Sequence, residues 1–234
     1  MASAADRPSP GPGPERIFET LNAYQKTAAL KTAIELDVFT AIGRGTNGAA
    51  ALAKKCQASE RGIRILCDFL VVNGFLAKND QRYELAPDSA IFLNKQSPAY
   101  IGSAVGFLTL PELTDAFKDL TAIVRKGGSL EGDATTTEPD SPKWVEFARS
   151  MAPLQKIPAE GLAETLNAKA GKKSKVLDIA AGHGIYGVTI AKDNPNAEIF
   201  AVDWPRVLDV AKENAQAAGV IARYHSEKIG RAHV

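Results

Sequence analysis

Histidine, cysteine, methionine and tryptophan are scarce here: three, two, two and two residues among 234. The cysteines, Cys56 and Cys67, lie in apolar helical surroundings and are expected as buried free thiols rather than a disulfide. No metal site is expected. Charge of one sign is also lacking. Twenty-eight Lys and Arg stand against 27 Asp and Glu, a formal net charge of +1, so no sequence-wide basic field exists to attract nucleic acid or anionic lipid. No apolar run approaches the roughly 20 residues that span a bilayer. Residues 1–15, rich in Ala, Ser, Pro and Gly, carry no hydrophobic segment, so they read as a disordered lead and not as a secretory signal. A cytoplasmic protein is the default expectation. What remains is 45% hydrophobic and 24% charged, the balance of an ordinary globular chain with room for one large domain or two small ones.

Residues 16–97 carry a compact pattern. From Arg16 to Gly43 the apolar residues (Ile17, Phe18, Leu21, Tyr24 and onward to Phe39) suit one long helix, or two broken near Asp37. They cover more than one face, so this region needs burial both by its own domain and by a partner, and a homodimer is expected through it. A short helix follows over Ala49 to Cys56. Ser59 can N-cap a second helix, with Ile63, Leu66, Phe69 and Leu70 as its inner stripe, and Asn73-Gly74 closes it. Two short strands, Phe75 to Lys78 and Arg82 to Leu85, flank the turn at Asn79-Asp80. Helix, helix, hairpin is the order of a winged helix. Many such domains bind DNA, but the second helix offers only Arg61 and Arg64 as bases before Asp68, so dimerisation is the favoured account.

Residues 98–142 read as connecting helices ending in a loop from Gly127 to Pro142, the boundary between the two halves. Helices over Trp144 to Met151 and Pro153 to Ala168 lead into residues 143–228, which hold the chemistry. The run from Lys175 to Gly184 is a short apolar strand, an acid at Asp178, then a glycine turn. A helix follows to Lys192. A second strand, Glu198 to Val202, ends at Asp203, and Pro205 opens another helix; Ile221 to His225 is a candidate third strand. This order is half of a doubly wound nucleotide-binding sheet. Gly182 and Gly184 allow a sharp turn and close approach by a ligand, and Asp203 emerges where a carboxylate can accept both ribose hydroxyls. Gly182, Gly184 and Gly187 also satisfy the dinucleotide fingerprint G-x-G-x-x-G. Asp178 tips the choice. A carboxylate there repels a pyrophosphate and attracts the ammonium of S-adenosylmethionine.

The segment Val176 to Gly184, with Val202 to Val207, resembles the plant-type O-methyltransferases, a family that includes caffeate and hydroxyindole methyltransferases and bacterial relatives. The family pattern has three glycines where this chain has Ala180, Ala181 and Gly182, and Asp-Leu-Pro where it has Asp203, Trp204 and Pro205. The resemblance implies an α/β fold: an N-terminal winged-helix dimerisation domain, then a Rossmann-like class I methyltransferase domain. It implies S-adenosyl-L-methionine as cofactor, bound through Asp178, Ala180, Gly182, Gly184 and Asp203, with Trp204 at the adenine and Met151 beside the cofactor. Trp144 and Phe147, on one helical face with Met151, are expected to line the pocket of a small hydroxylated acceptor, aromatic or polyketide-like. No catalytic residue is assigned. His183 belongs to the glycine turn, His225 to a strand or loop, and the family's histidine base is expected beyond residue 234, so the chain itself is expected to be inactive. Residues 229–234 match the in-frame translation of a sequencing adapter and are expected to be an artefact. Two other readings stay open: a nicotinamide-dependent oxidoreductase, and a winged-helix regulator with a ligand-sensing domain.

Overall fold

The computed structural model describes residues 13–115, 117–128 and 141–229. The expectations for the N-terminal lead, for most of the Gly127–Pro142 loop and for the tail beyond Ile229 fall outside them. The chain divides into two compact units, Met1–Ala90 and Ile91–Val234. Among the described residues no helix is long and apolar enough to cross a membrane, and no cluster of His, Cys, Asp and Glu could hold a metal ion.

The first unit runs α1 (Glu15–Leu21), α2 (Ala23–Glu35), α3 (Val38–Gly43), α4 (Ala49–Lys55), α5 (Glu60–Val72), β1 (Leu76–Asn79) and β2 (Arg82–Leu85), and it ends within α6 (Pro87–Phe92). The break at Asp37 is as expected, and that residue takes the left-handed conformation at φ 58°. A second break, at Asn22, was not expected. The Asn22 side chain donates to the Phe18 carbonyl at 2.9 Å and competes with the helix ladder. Ser59 caps α5 by accepting the Gly62 N–H at 3.1 Å. At its other end the Phe75 N–H reaches the Leu70 carbonyl and the Gly74 N–H reaches that of Val71, with Gly74 at φ 79°, a Schellman closure. The buried stripe of α5 is Ile63, Cys67 and Leu70; Leu66 and Phe69 are only half-buried. Both cysteines are free, and burial pushes the Cys67 thiol up to about 12. Antiparallel β1 and β2 pair Leu76 with Leu85, and Gly48 bridges to Arg82, so the hairpin is a small wing. Asp68 is no base reader. Its Oδ1 accepts from Lys78 Nζ at 2.6 Å and from the Tyr83 hydroxyl at 2.8 Å, which fastens the wing to α5.

The second unit begins with α7 (Ala104–Leu108), α8 (Pro111–Asp115), α9 (Leu120–Lys126) and α10 (Pro142–Met151). A 3-10 turn at Ala152–Gln155 leads into α11 (Lys156–Thr165). Then come β3 (Ser174–Ile179), α12 (Ile185–Asp193), β4 (Ala197–Asp203), α13 (Pro205–Ala217) and β5 (Tyr224–Lys228). The three strands are parallel in the order β3-β4-β5, with Asp178, Ala201 and Ser226 in one register row. One sheet face packs against α12 and α13: Ile199, Ala201 and Tyr224 meet Val188, Ala191, Leu208 and Ala211 in the core. The other face presents Leu177 and Ile179, 63% and 69% exposed, beside Phe200 and His225. The third strand starts three residues later than the pattern suggests. Arg223 donates to the carbonyls of Ala191, Asn194 and Ala197, which draws Ile221–Arg223 into a 3-10 turn before the strand begins.

Candidate functional site

The carboxyl ends of β3 and β4 meet at the glycine turn. Pairing continues two residues past β3, where the Ala181 N–H donates to the Val202 carbonyl at 3.2 Å. The chain then turns through Ala180, Gly182 and Gly184, all left-handed, at φ 57°, 57° and 71°. Left-handed backbone costs a residue with a Cβ roughly 1–2 kcal/mol. Ala180 therefore carries strain at the position where the plant-type pattern places a glycine.

The glycines differ in purpose. A Cβ on Gly182 would come no nearer than 3.8 Å to a neighbouring atom, the Ala180 carbonyl oxygen, so the turn is open there. A Cβ on Gly184 would run into the Tyr224 hydroxyl and lie 2.8 Å from Ala211 Cβ; one on Gly187 would lie 2.6 Å from Ile199 Cγ2. Gly184 and Gly187 let α12 close onto the sheet, and Gly182 leaves room for a ligand.

Asp203 is buried, and both its oxygens are engaged. Oδ2 accepts the Gly182 N–H at 2.8 Å and Oδ1 the Trp204 N–H at 2.7 Å. The carboxylate thus ties the turn to the second strand. Each oxygen keeps a further lone pair, so two hydroxyls can still be accepted. Asp178 lies deeper. Its Oδ2 is buried without a hydrogen-bond partner. Burial pushes its carboxyl above the usual carboxylate range; the Gly187 amide opposes this and the Asp203 charge adds to it. A buried carboxyl oxygen without a hydrogen-bond partner, set against Gly187 at the start of α12, fits a cationic group.

His183 fills the turn. Its Nδ1 accepts the Ile185 N–H at 3.1 Å, burial pushes its pKa down, and its ring stacks on Tyr186 at 6.3 Å. The imidazole is held neutral by desolvation, with one nitrogen committed to the backbone. His225 sits on the open sheet face, 2.6 Å from Glu198 Oε2.

On α10, Trp144 packs edge-on to Phe147 at 6.3 Å, and Phe147 edge-on to Phe107 at 4.9 Å. Trp144 and Trp204 both pack on the buried cluster of Ala148, Val207 and Val210, so the two tryptophans share one patch beside the Asp203 end of β4. Arg149 forks onto Glu213 at 2.7 and 3.0 Å and fixes α10 to α13. Met151 ends α10, half-buried, next to the 3-10 turn whose Gln155 accepts from the Tyr186 hydroxyl at 2.6 Å. Sequence reasoning missed Tyr224 and Asn214, whose side-chain amide holds the His183 carbonyl at 2.8 Å. A lone Asn on the inner turn of an apolar helix was the available signal for the latter; nothing local pointed to Tyr224.

Parallel strands joined through α12 and α13, an open glycine turn and acids at two successive strand ends define a class I methyltransferase-type fold. Comparison with known proteins narrows this. Residues 18–95 match the family model of the O-methyltransferase dimerisation domain, and residues 157–232 that of the methyltransferase small domain. A crystal structure of a Nostoc punctiforme protein assigned to the O-methyltransferases is 50% identical, with a TM-score of 0.83 over 94% of this chain and 65% of its own. The 3-hydroxy-5-methyl-1-naphthoate 3-O-methyltransferase of Streptomyces sahachiroi is 24% identical over 94% of this chain and 64% of its own length. Human N-acetylserotonin methyltransferase, solved in complex with S-adenosylmethionine, shares the fold at 18% identity and a TM-score of 0.72, over 96% of this chain and 68% of its own. The chain is similar to O-methyltransferases, with a match to their dimerisation domain preceding a match to a methyltransferase domain. It spans just under two thirds of the length of the Nostoc and Streptomyces relatives.

Proposed function

We propose that the chain is the cofactor-binding and dimerising part of an S-adenosylmethionine-dependent O-methyltransferase acting on a small hydroxylated acceptor of aromatic or polyketide-like type. The observation that carries this reading is the pair of acids around the open Gly182 turn, Asp178 with its unpartnered buried oxygen and Asp203 with lone pairs to spare. In this reading Asp203 accepts the two ribose hydroxyls and Asp178 faces the ammonium. The backbone of Ala180, Gly182 and Gly184 lines the approach, Trp204 covers the adenine, and Met151 stands beside the cofactor. When bound, the sulfonium supplies an electrophilic methyl group. Trp144 and Phe147 offer an apolar aromatic wall for a flat acceptor and exclude water from it. The naphthoate acceptor in the Streptomyces relative's name supports that class.

Neither described histidine suits the task of taking the acceptor's proton. His183 Nδ1 is committed to Ile185, and His225 Nε2 lies 2.6 Å from Glu198 Oε2 on the open sheet face. The first unit is assigned to homodimerisation, because α1 exposes Ile17, Phe18 and Leu21 together.

Equilibrium dialysis tests the cofactor. Labelled S-adenosylhomocysteine is expected to bind and NAD is not; the reverse result overturns the reading. Asp203→Ala should weaken S-adenosylhomocysteine at least tenfold, since each lost charge-assisted bond is worth about 1.5–3 kcal/mol. Parental affinity in that variant removes Asp203 from the site.

A further inference from the structure

Two apolar surfaces of the first unit are bare, one a ridge and the other a hollow. The ridge is α1. It buries no residue, and Ile17, Phe18 and Leu21, each more than half exposed, lie on one side of it. The hollow is a groove of about 350 Å³ between α2 and α5, lined by Gln25, Ala29, Gly62, Ile65, Leu66 and Phe69. Ala29 on one wall and Gly62 on the other are small, which keeps it open. No charged side chain lines it. Its one polar side chain, Gln25, sends its amide nitrogen to Asn22 Oδ1 at 3.4 Å and to the Tyr24 hydroxyl at 3.2 Å.

The helix that forms one wall is apolar on two sides. Ile63, Cys67 and Leu70 of α5 face the core of the unit. Ile65, Phe69 and Val72, at i, i+4 and i+7, make a second stripe, and Ile65 and Val72 are more than half exposed. A helix with two apolar stripes calls for cover on both.

Chain length decides what can cover this one. A single residue, Asn22, separates α1 from α2, and its side-chain amide donates to the Phe18 carbonyl. Two helices need a loop of about 2–5 residues to fold back on each other. The α1 helix therefore cannot turn over the groove of its own chain, and none of its residues lines it. A second copy has no such restriction. In a two-fold dimer residue i meets j and j meets i, so one operation fits both ridges into both grooves. We infer that α1 of each copy seats Phe18, flanked by Ile17 and Leu21, in the α2–α5 groove of the other. This rests on the reading in which the first unit makes a homodimer; the residues matched to the dimerisation domain, 18–95, take in the whole groove and Phe18. The aromatic ring is the anchor, because it brings the most apolar area for the fewest rotatable bonds.

The test is sedimentation equilibrium of the full chain with two single variants, Phe18→Lys on the ridge and Ile65→Glu on the groove. Both positions are more than half exposed, so the fold should tolerate the changes, and circular dichroism checks that it does. Each variant alone should dimerise at least about tenfold more weakly, the loss expected for a buried anchor. Mixed in equal amounts, the two should pair again. Their mixed dimer keeps one native contact and sets an ammonium against a carboxylate at the other. Its dissociation constant should lie at least about tenfold below that of either variant alone, and added salt should raise it. Leu21→Lys with Ala29→Glu repeats the exchange at a second pair of positions. If the ridge variants weaken the dimer and the groove variants do not, or if mixing brings no gain, the seating is wrong while the homodimer stands. A parent chain that stays monomeric at concentrations on the order of tens of micromolar overturns the homodimer and the seating with it.

Discussion

The two units use polar side chains differently, although the first also buries one unpartnered oxygen, Ser89 Oγ. In the first, the Asp68 carboxylate, the Lys78 ammonium and the Tyr83 hydroxyl satisfy one another across α5 and the hairpin, and they hold the wing in place. In the second, Asp178 Oδ2, the Tyr224 hydroxyl and Ser226 Oγ gather unpartnered behind the glycine turn. An unsatisfied buried group costs about 1–3 kcal/mol, so a fold keeps a cluster of them only where something else is gained. Exposed apolar surface differs as well. In the first unit it includes Ile17, Phe18 and Leu21 on α1, a helix that contributes no buried residue to the core of Phe39, Leu52, Ile63 and Leu70. In the second it includes Leu177 and Ile179, part of a parallel sheet, a surface that folds of this class cover on both sides. The first unit is organised around stability and association, the second around a site.

If that division is real, the cores should fail separately. Leu70→Ala and Leu208→Ala each empty a fully buried position and should cost about 2–5 kcal/mol. Differential scanning calorimetry is expected to show each variant lowering its own transition and leaving the other in place. A single shared transition displaced by both would merge the units. A smaller effect is expected at the surface. Leu21→Asp should weaken dimerisation at least tenfold in sedimentation equilibrium while the unfolding midpoint of the first unit barely moves; an unchanged dimer would take α1 out of the interface.

His183 sharpens the contrast through pH. Its folded pKa is depressed by burial, so protonation favours the unfolded chain. The stability of the second unit is full above the ordinary histidine value of about 6.5 and falls as pH drops below it, by at most about 1.4 kcal/mol per pH unit. His183→Asn, which keeps an acceptor for the Ile185 N–H, should flatten the thermal midpoint between pH 6.5 and 5. A slope that survives the substitution would place the titrating group elsewhere. Least in size, Ala180→Gly should relieve the left-handed strain at some entropic cost, a net gain of about 0.5 kcal/mol in urea unfolding. A loss greater than that would show that the Ala180 methyl makes a contact worth keeping.

Much of the fold was legible because its punctuation is local. Ser59, Asn73-Gly74 and Asp80 specify capping and turn geometry within a few residues, so α5 and the hairpin could be placed from sequence. The placement of Asp178, Gly182 and Asp203 around one turn was legible because strand ends and glycine turns are marked in sequence. Other features depend on partners far along the chain. The late start of β5 follows from Arg223 reaching carbonyls up to 32 residues away. The double engagement of Asp203 needs a turn 21 residues upstream to arrive at its side chain. Cys67 displaced Leu66 and Phe69 from the α5 stripe because the interior lies on a narrower arc than the apolar spacing suggested.

Gly187 has a consequence for kinship. It is small because Ile199 occupies the space a methyl would fill. The last glycine of the G-x-G-x-x-G pattern therefore records how tightly a helix lies on its sheet and says nothing of the molecule bound above it, which is why one spacing fits two unrelated cofactor classes. Size should then be traded between the two positions down the lineage. A descendant with alanine at 187 is expected to carry valine or alanine at 199, and the pair should drift together while Asp178 and Asp203 stay fixed.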